Sequence, residues 1–236
     1  MENSIMARRI NLVLALGMTA AVVGTAQAQS PPLSLSPPKA APAGKAAAVA
    51  AVGAISPQEA VQRANAYFNA SPTLIGDFVQ INGEGRRLEG KVYIQRPGRM
   101  RFEYAKPATV EVVADGTSVA IRDRKLHTQD LYLIGQTPLK FLTKEHIDIS
   151  RDTKVLDVKI DQNAVSILIE DKATLGGTSR IKLIFEPSSF ALKQWTVRDP
   201  QGSETVVSLF NVDFNRKPDP ELFKIDLEKM LDTPRR

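Results

Sequence analysis

From Leu74 onward, apolar and polar residues alternate with a period of two. In Arg99-Met100-Arg101-Phe102-Glu103-Tyr104 the charges take one face, and Met100, Phe102 and Tyr104 take the other. Val92 with Ile94 repeats the pattern. So do Leu156, Val158 and Ile160; Val165, Ile167 and Ile169; Ile181, Leu183 and Phe185; and Val206, Ser208, Phe210, Val212 and Phe214. Successive side chains of a strand point to opposite faces, so each run predicts a strand with one dry and one wet face. Turn signals separate the runs: Asn82-Gly83, Pro97-Gly98, Asp115-Gly116, Gln162-Asn163, Gly176-Gly177 and Gln201-Gly202. About ten strands joined by short turns predict an antiparallel meander with almost no crossover helices.

Two segments break the alternation. Ser56-Pro57-Gln58-Glu59 is a helix start, with serine as cap, proline in the first turn and glutamate at the third position. Val61, Ala64, Asn65 and Phe68 then recur at helical spacing until Ser71-Pro72 stops the run. The second is Thr137–Lys144, where Thr137 can cap, Pro138 suits a first turn, and Leu139, Phe141 and Leu142 are apolar. A sheet of this many one-sided strands must curl, since twist accumulates and the dry face needs covering. The two helical pieces are expected to plug the open side. The predicted class is therefore mainly β, with an α+β character.

The first fifty-odd residues differ from the rest. Arg8 and Arg9 precede the apolar stretch Ile10–Val23, and Ala26-Gln27-Ala28 supplies a small-x-small cleavage pattern. We read residues 1–28 as a signal peptide cleaved after Ala28, because the stretch is shorter than the roughly 20 apolar residues a spanning helix needs. Residues 29–54 hold five prolines, many alanines and no acid, which predicts a flexible linker. One folded domain is expected over residues 55–232. The chain has no cysteine, so neither disulfides nor thiolate metal sites are available, and an exported domain would rest on burial alone.

Catalytic patterns are hard to find. There is no Gly-x-Ser-x-Gly elbow, phosphate-binding glycine loop or His-Glu-x-x-His helix. His146 and Asp148 could share a strand face, but a metal needs a further ligand. The reading is a non-enzyme without cofactor or metal. Net charge is +5. Arg86, Arg87, Arg96, Arg99, Arg101, Arg122, Arg124 and Lys125 could form a basic rim facing an anionic membrane or an acidic docking partner, though any one of them can be an ordinary surface residue. With acids interspersed and no recognition motif, nucleic acid is not an expected partner.

The stretch Gln95–Tyr104, with Arg96-Pro97-Gly98 at its turn, resembles the LolA family of periplasmic carriers of outer-membrane lipoproteins. The resemblance takes in Phe78-Val79-Gln80, Glu89-Gly90-Lys91-Val92-Tyr93 and Val113-Ala114-Asp115-Gly116. It continues with Thr137-Pro138-Leu139, Leu192-Lys193-Gln194-Trp195 and Gly202-Ser203-Glu204-Thr205, and so runs from about Ser56 to about Phe223. It implies an incomplete antiparallel β-barrel whose helical lid covers an apolar cavity for acyl chains. Phe78, Ile94, Met100, Phe102, Tyr104, Leu139 and Leu142 would line that cavity. Arg96 looks like the family arginine that ties barrel to lid. After Asp115-Gly116 this chain has Val119, Ala120 and Ile121 where the family often has an aromatic, so the pocket there should differ in shape.

The resemblance further implies acylated lipoproteins as cargo, loading by an inner-membrane lipoprotein-releasing ABC transporter, and delivery to an outer-membrane receptor or to the membrane itself, by a monomer in the periplasm. Two other readings stay open at this level. One is an envelope sensor or scaffold module of the same fold, and the other an exported lipid or glycan hydrolase. For each proposed cavity residue, the competing assignment is a filled core; Trp195 reads as packing.

Overall fold

The computed structural model describes residues 55–226; the signal peptide, the linker and the last ten residues lie outside the described residues. Helix α1 (Pro57–Asn69) starts where its sequence says it should, with the Glu59 N–H donating to Ser56 Oγ at 3.1 Å. Such a cap contributes about 1 kcal/mol. The helix turns Ala60, Val61, Ala64 and Phe68 inward.

Eleven antiparallel strands follow: β1 (Thr73–Ile81), β2 (Arg87–Gln95), β3 (Arg99–Tyr104), β4 (Val110–Asp115), β5 (Ser118–Asp123), β6 (Thr128–Leu133), β7 (Lys154–Ile160), β8 (Val165–Thr174), β9 (Gly177–Phe185), β10 (Leu192–Arg198) and β11 (Glu204–Asp213). They form one open, curved sheet in the order β6-β5-β4-β3-β2-β1-β11-β10-β9-β8-β7. Every neighbour is a sequence neighbour except in the centre, where β1 pairs with β11. The two edges, β6 and β7, are joined in the chain by residues 134–153. That connection carries a 3-10 turn (Ile134–Gln136) and two single-turn helices, α2 (Lys140–Thr143) and α3 (Ile149–Asp152).

α1 and the connection cover the dry face. Phe68, Phe141, Leu142, Ile147 and Ile149 belong to the same apolar core as Phe78, Val92, Met100, Ile167, Leu183 and Trp195. Two asparagines of α1 hold the connection by its backbone. Asn69 donates to Ile147 O at 2.8 Å and accepts from its N–H at 3.0 Å, while the Ile149 N–H donates to Asn65 Oδ1 at 3.0 Å. In this way the side-chain amides satisfy backbone groups of the connection that have no strand partner, including the N–H at the start of α3.

Three expectations change. In β11 the buried set is Thr205, Val207 and Leu209, the opposite phase to Val206, Ser208 and Phe210; Phe210 is 51% exposed. A bulge explains it. Asn211 has φ +50, and the β1 pairing jumps from Asp77↔Phe210 to Ile75↔Asp213. Two residues then oppose one, and beyond it Val212 and Phe214 turn back to the core. A second bulge between Val155 and Asp157 leaves Leu156 exposed in β7. The Thr137–Lys144 helix shortens to Lys140–Thr143, capped by Leu139 without a side-chain bond; Thr137 instead donates its hydroxyl back to Ile134 O at 2.9 Å.

Candidate functional site

The inner faces of β1, β2 and β3 meet in a row of rings. Phe78 lies edge-on to Phe102 and Tyr104, with centroids 5.0 and 5.1 Å away. Such pairs add about 0.5–1.5 kcal/mol beyond the area they bury. Register sets up the contact, because Gly90 of β2 stands opposite both Phe78 and Tyr104. Gly90 permits a very close approach of β2 to β3: a Cβ there would lie 2.0 Å from the Glu103 carbonyl oxygen. The buried Tyr104 hydroxyl donates to Gln80 Oε1 at 2.8 Å. Burial holds its pKa above the ordinary phenol range, so it stays a neutral donor.

Phe102, Tyr104 and Leu139, together with Val112, Val119, Tyr132 and Trp195, line a hollow of about 50 Å³. A water's share of liquid volume is about 30 Å³, so this space holds no acyl chain in the present conformation. Val119 and Ile121, where the chain departs from the family pattern, form part of its wall. Ile94, Arg96 and Leu142 line a second void of about 10 Å³ beneath α1. Phe78 and Met100 are buried and border none of these spaces. The residues proposed from the sequence therefore form one contiguous apolar core, most of it filled. Trp195 packs in the core and lines both of these spaces.

Arg96 stands at the β2–β3 turn, facing the cover. Its Nε donates to Leu142 O at 3.0 Å, and its Nη1 donates to Ser71 O at 3.2 Å and to Phe68 O. One guanidinium thus gathers carbonyls from the end of α1, from Ser71 two residues beyond it, and from α2. Among the described residues its hydrogen-bond partners are all carbonyls, so the charge is held by dipoles. Burial draws its pKa down to about 10, with some relief from Tyr67, and it remains a cation at neutral pH. Tyr67 is half-buried, and desolvation pushes its pKa up to about 12. Beside Arg96, the Gly98 N–H donates to Thr143 O at 2.7 Å. Gly98 has φ +74, and a Cβ there would lie 2.6 Å from Gly116 Cα, so the Pro97-Gly98 and Asp115-Gly116 turns touch directly.

The cover has a second fastening. Lys140 of α2 pairs with Asp171 of β8 at 2.8 Å, with side chains 16% and 4% exposed. Close by, Phe68, Phe141, Ile147, Ile149, Ile169 and Leu183 line a hollow of about 260 Å³, with Lys140, Lys144 and Asp152 also on its wall. Sequence reasoning missed this space. Its lining comes from five separate segments, and the only signal was the apolar content of each.

Outside the chain itself, residues 69–226 match the family described as outer membrane lipoprotein carrier protein LolA. An outer-membrane lipoprotein carrier protein of Legionella pneumophila (strain Paris) is 30% identical over 183 residues, covering 74% of this chain and 89% of the relative. One from Nitrosospira multiformis is 26% identical over 168 residues, covering 67% and 80%. Among solved structures, a LolA superfamily protein from Nitrosomonas europaea superposes with a TM-score of 0.42 at 9% identity, covering 73% of this chain and 99% of that one. The family match spans most of the folded part and includes the Arg96-Pro97-Gly98 turn, and the chain therefore belongs to the LolA family of outer membrane lipoprotein carrier proteins.

Proposed function

We propose that this protein is a periplasmic shuttle that shelters the acyl chains of lipoproteins during passage from the inner to the outer membrane. Residues 1–28 direct export and are removed after Ala28; residues 29–54 tether the domain formed by residues 55–232. The protein works as a monomer. An inner-membrane lipoprotein-releasing ABC transporter loads it, and an outer-membrane receptor or the membrane itself accepts the cargo. Its activity is binding and release.

The physical requirement is reversible shelter. Burial contributes about 0.8 kcal/mol per methylene, so a multiply acylated protein is held in a bilayer by tens of kcal/mol. A carrier must offer comparable apolar surface yet avoid exposing it when empty. The observation that carries this reading is the cover fastened over an apolar core by Arg96 through backbone carbonyls. Those bonds can be exchanged for water without stranding an opposite charge. In the closed form Phe78, Ile94, Met100, Phe102, Tyr104 and Leu142 fill each other's space, with Leu139 under the cover; in the open form the same side chains receive the cargo.

The deciding measurement is mass spectrometry of molecules that copurify with the protein from its native envelope. Acylated proteins held through their lipid groups are expected. Recovery of none, under conditions that preserve a known carrier complex, would overturn the reading.

A further inference from the structure

Phe141 stands between Phe68 and Trp195 and lines the larger hollow. Its ring lies edge-on to Trp195 at 6.1 Å and to Phe68 at 6.4 Å. On the Trp195 side lies the hollow of about 50 Å³ under Leu139; on the Phe68 side lies the one of about 260 Å³, floored by Ile169 and Leu183 and roofed by Ile147 and Ile149. The first must expand before it admits a chain. The second is already formed. A dry apolar cavity of about 150 Å³ takes benzene, so at the same volume per carbon 260 Å³ takes about ten carbons of an alkyl chain.

We propose that the Phe68-side hollow is a separate, preformed site for a single straight alkyl chain, occupied while the cover is still closed, with Phe141 as the partition that a longer chain must displace to reach Trp195. The site selects the chain and not its head group. Both rim cations are paired, Lys140 with Asp171 and Lys144 with Asp152 at 2.7 Å, so the rim offers little net charge to an anionic head. This deepens the carrier reading and rests on it, since it assigns one acyl chain of the cargo its first foothold. Chain length then becomes the variable: a short chain stops at Phe141, whereas a long one pushes past it.

Trp195 is the chain's only tryptophan and so reports on its own side of the partition. The experiment titrates the full chain with decanoate and with hexadecanoate, reading binding by calorimetry and Trp195 emission in parallel. Expected are decanoate binding with Trp195 emission unchanged, and hexadecanoate binding with a clear emission shift. Ile169→Phe, which fills the site, should weaken decanoate binding at least tenfold. Phe141→Ala, which removes the partition and needs no extra space, should let decanoate move the emission as hexadecanoate does. The proposal is overturned if decanoate shifts Trp195 emission in the parent protein, or if folded Ile169→Phe binds decanoate as the parent does. Binding of an acylated lipoprotein without binding of either free chain would also overturn it while leaving the carrier reading intact. Failure to bind any of the three would remove both.

Discussion

The two fastenings of the cover differ in kind. On the β2–β3 side, a charged Arg96 is satisfied by neutral carbonyls; on the β8 side, Lys140 meets the carboxylate of a buried Asp171. Opening the first exchanges carbonyl partners for water. Opening the second separates two charges, one of them on a strand that does not move with the cover. The first is thus the easier of the two to undo, and the second the more costly.

The sharpest test of that difference is Lys140→Met. It takes the cation from a buried carboxylate and should cost about 3 kcal/mol of stability, read as a lowered denaturant midpoint. Lys140→Met combined with Asp171→Leu should recover most of the loss; if it does not, the pair is not what holds this side.

Arg96→Leu comes next. Hydrogen bonds to charged groups contribute about 1.5–3 kcal/mol, and here the loss should fall on the closed state more than on the sheet. Hydrogen exchange should speed up in α1 and α2 while β8 and β9 stay protected, with altered cargo release. Equal acceleration everywhere, or release matching the parent, would erase the distinction between the two sides.

A smaller effect, about 1 kcal/mol, is expected for Asn69→Ala, which removes both bonds to the Ile147 backbone. Exchange at residues 147–149 reads it directly, and an unchanged rate there would show that α1 and the connection move independently.

The smallest concerns acid. Burial works against ionisation of Asp152, but hydrogen bonds from Lys144 and from the Asp148 N–H outweigh it and hold its pKa below the ordinary 3.8. A carboxylate lowered in the folded state contributes stability above its unfolded value, and that contribution is lost as pH falls through the folded one. Exchange at residues 148–152 should therefore rise below about pH 3.8 and be insensitive to pH above it; loosening already at pH 6 would mean another group controls this segment.

Much of this architecture is readable from local pattern. The dry faces of β2, β3, β8 and β9 are those the alternation names, because in each of these strands one phase carries most of the apolar residues. β11 is different. Val206-Val207-Ser208-Leu209-Phe210 carries apolar residues on both phases, and its partner β1 and the bulge at Asn211 decide which phase faces inward. Of the connection's two short helices, α2 was legible as a longer helix, whereas α3 escaped a local reading, since Ile149 is held by α1 and the core and not by helix propensity. Arg96 was visible only through its resemblance to a family turn, as the carbonyls it binds carry no side-chain signature. The larger hollow is a tertiary property with no local trace.

The pairing of β1 with β11 at the middle of the sheet has a consequence for how the molecule comes into being. A chain synthesised from its N-terminus can zip the hairpins of one wing and then of the other, but the seam that unites them waits for residues 204–213. Joining segments that far apart is slow relative to making hairpins. Until the seam closes, the greasy surfaces of both wings lack each other as partners. Maturation is thus a late and concerted event, and a protein interrupted short of its last strand would be a hazard to its neighbours and not a partial carrier.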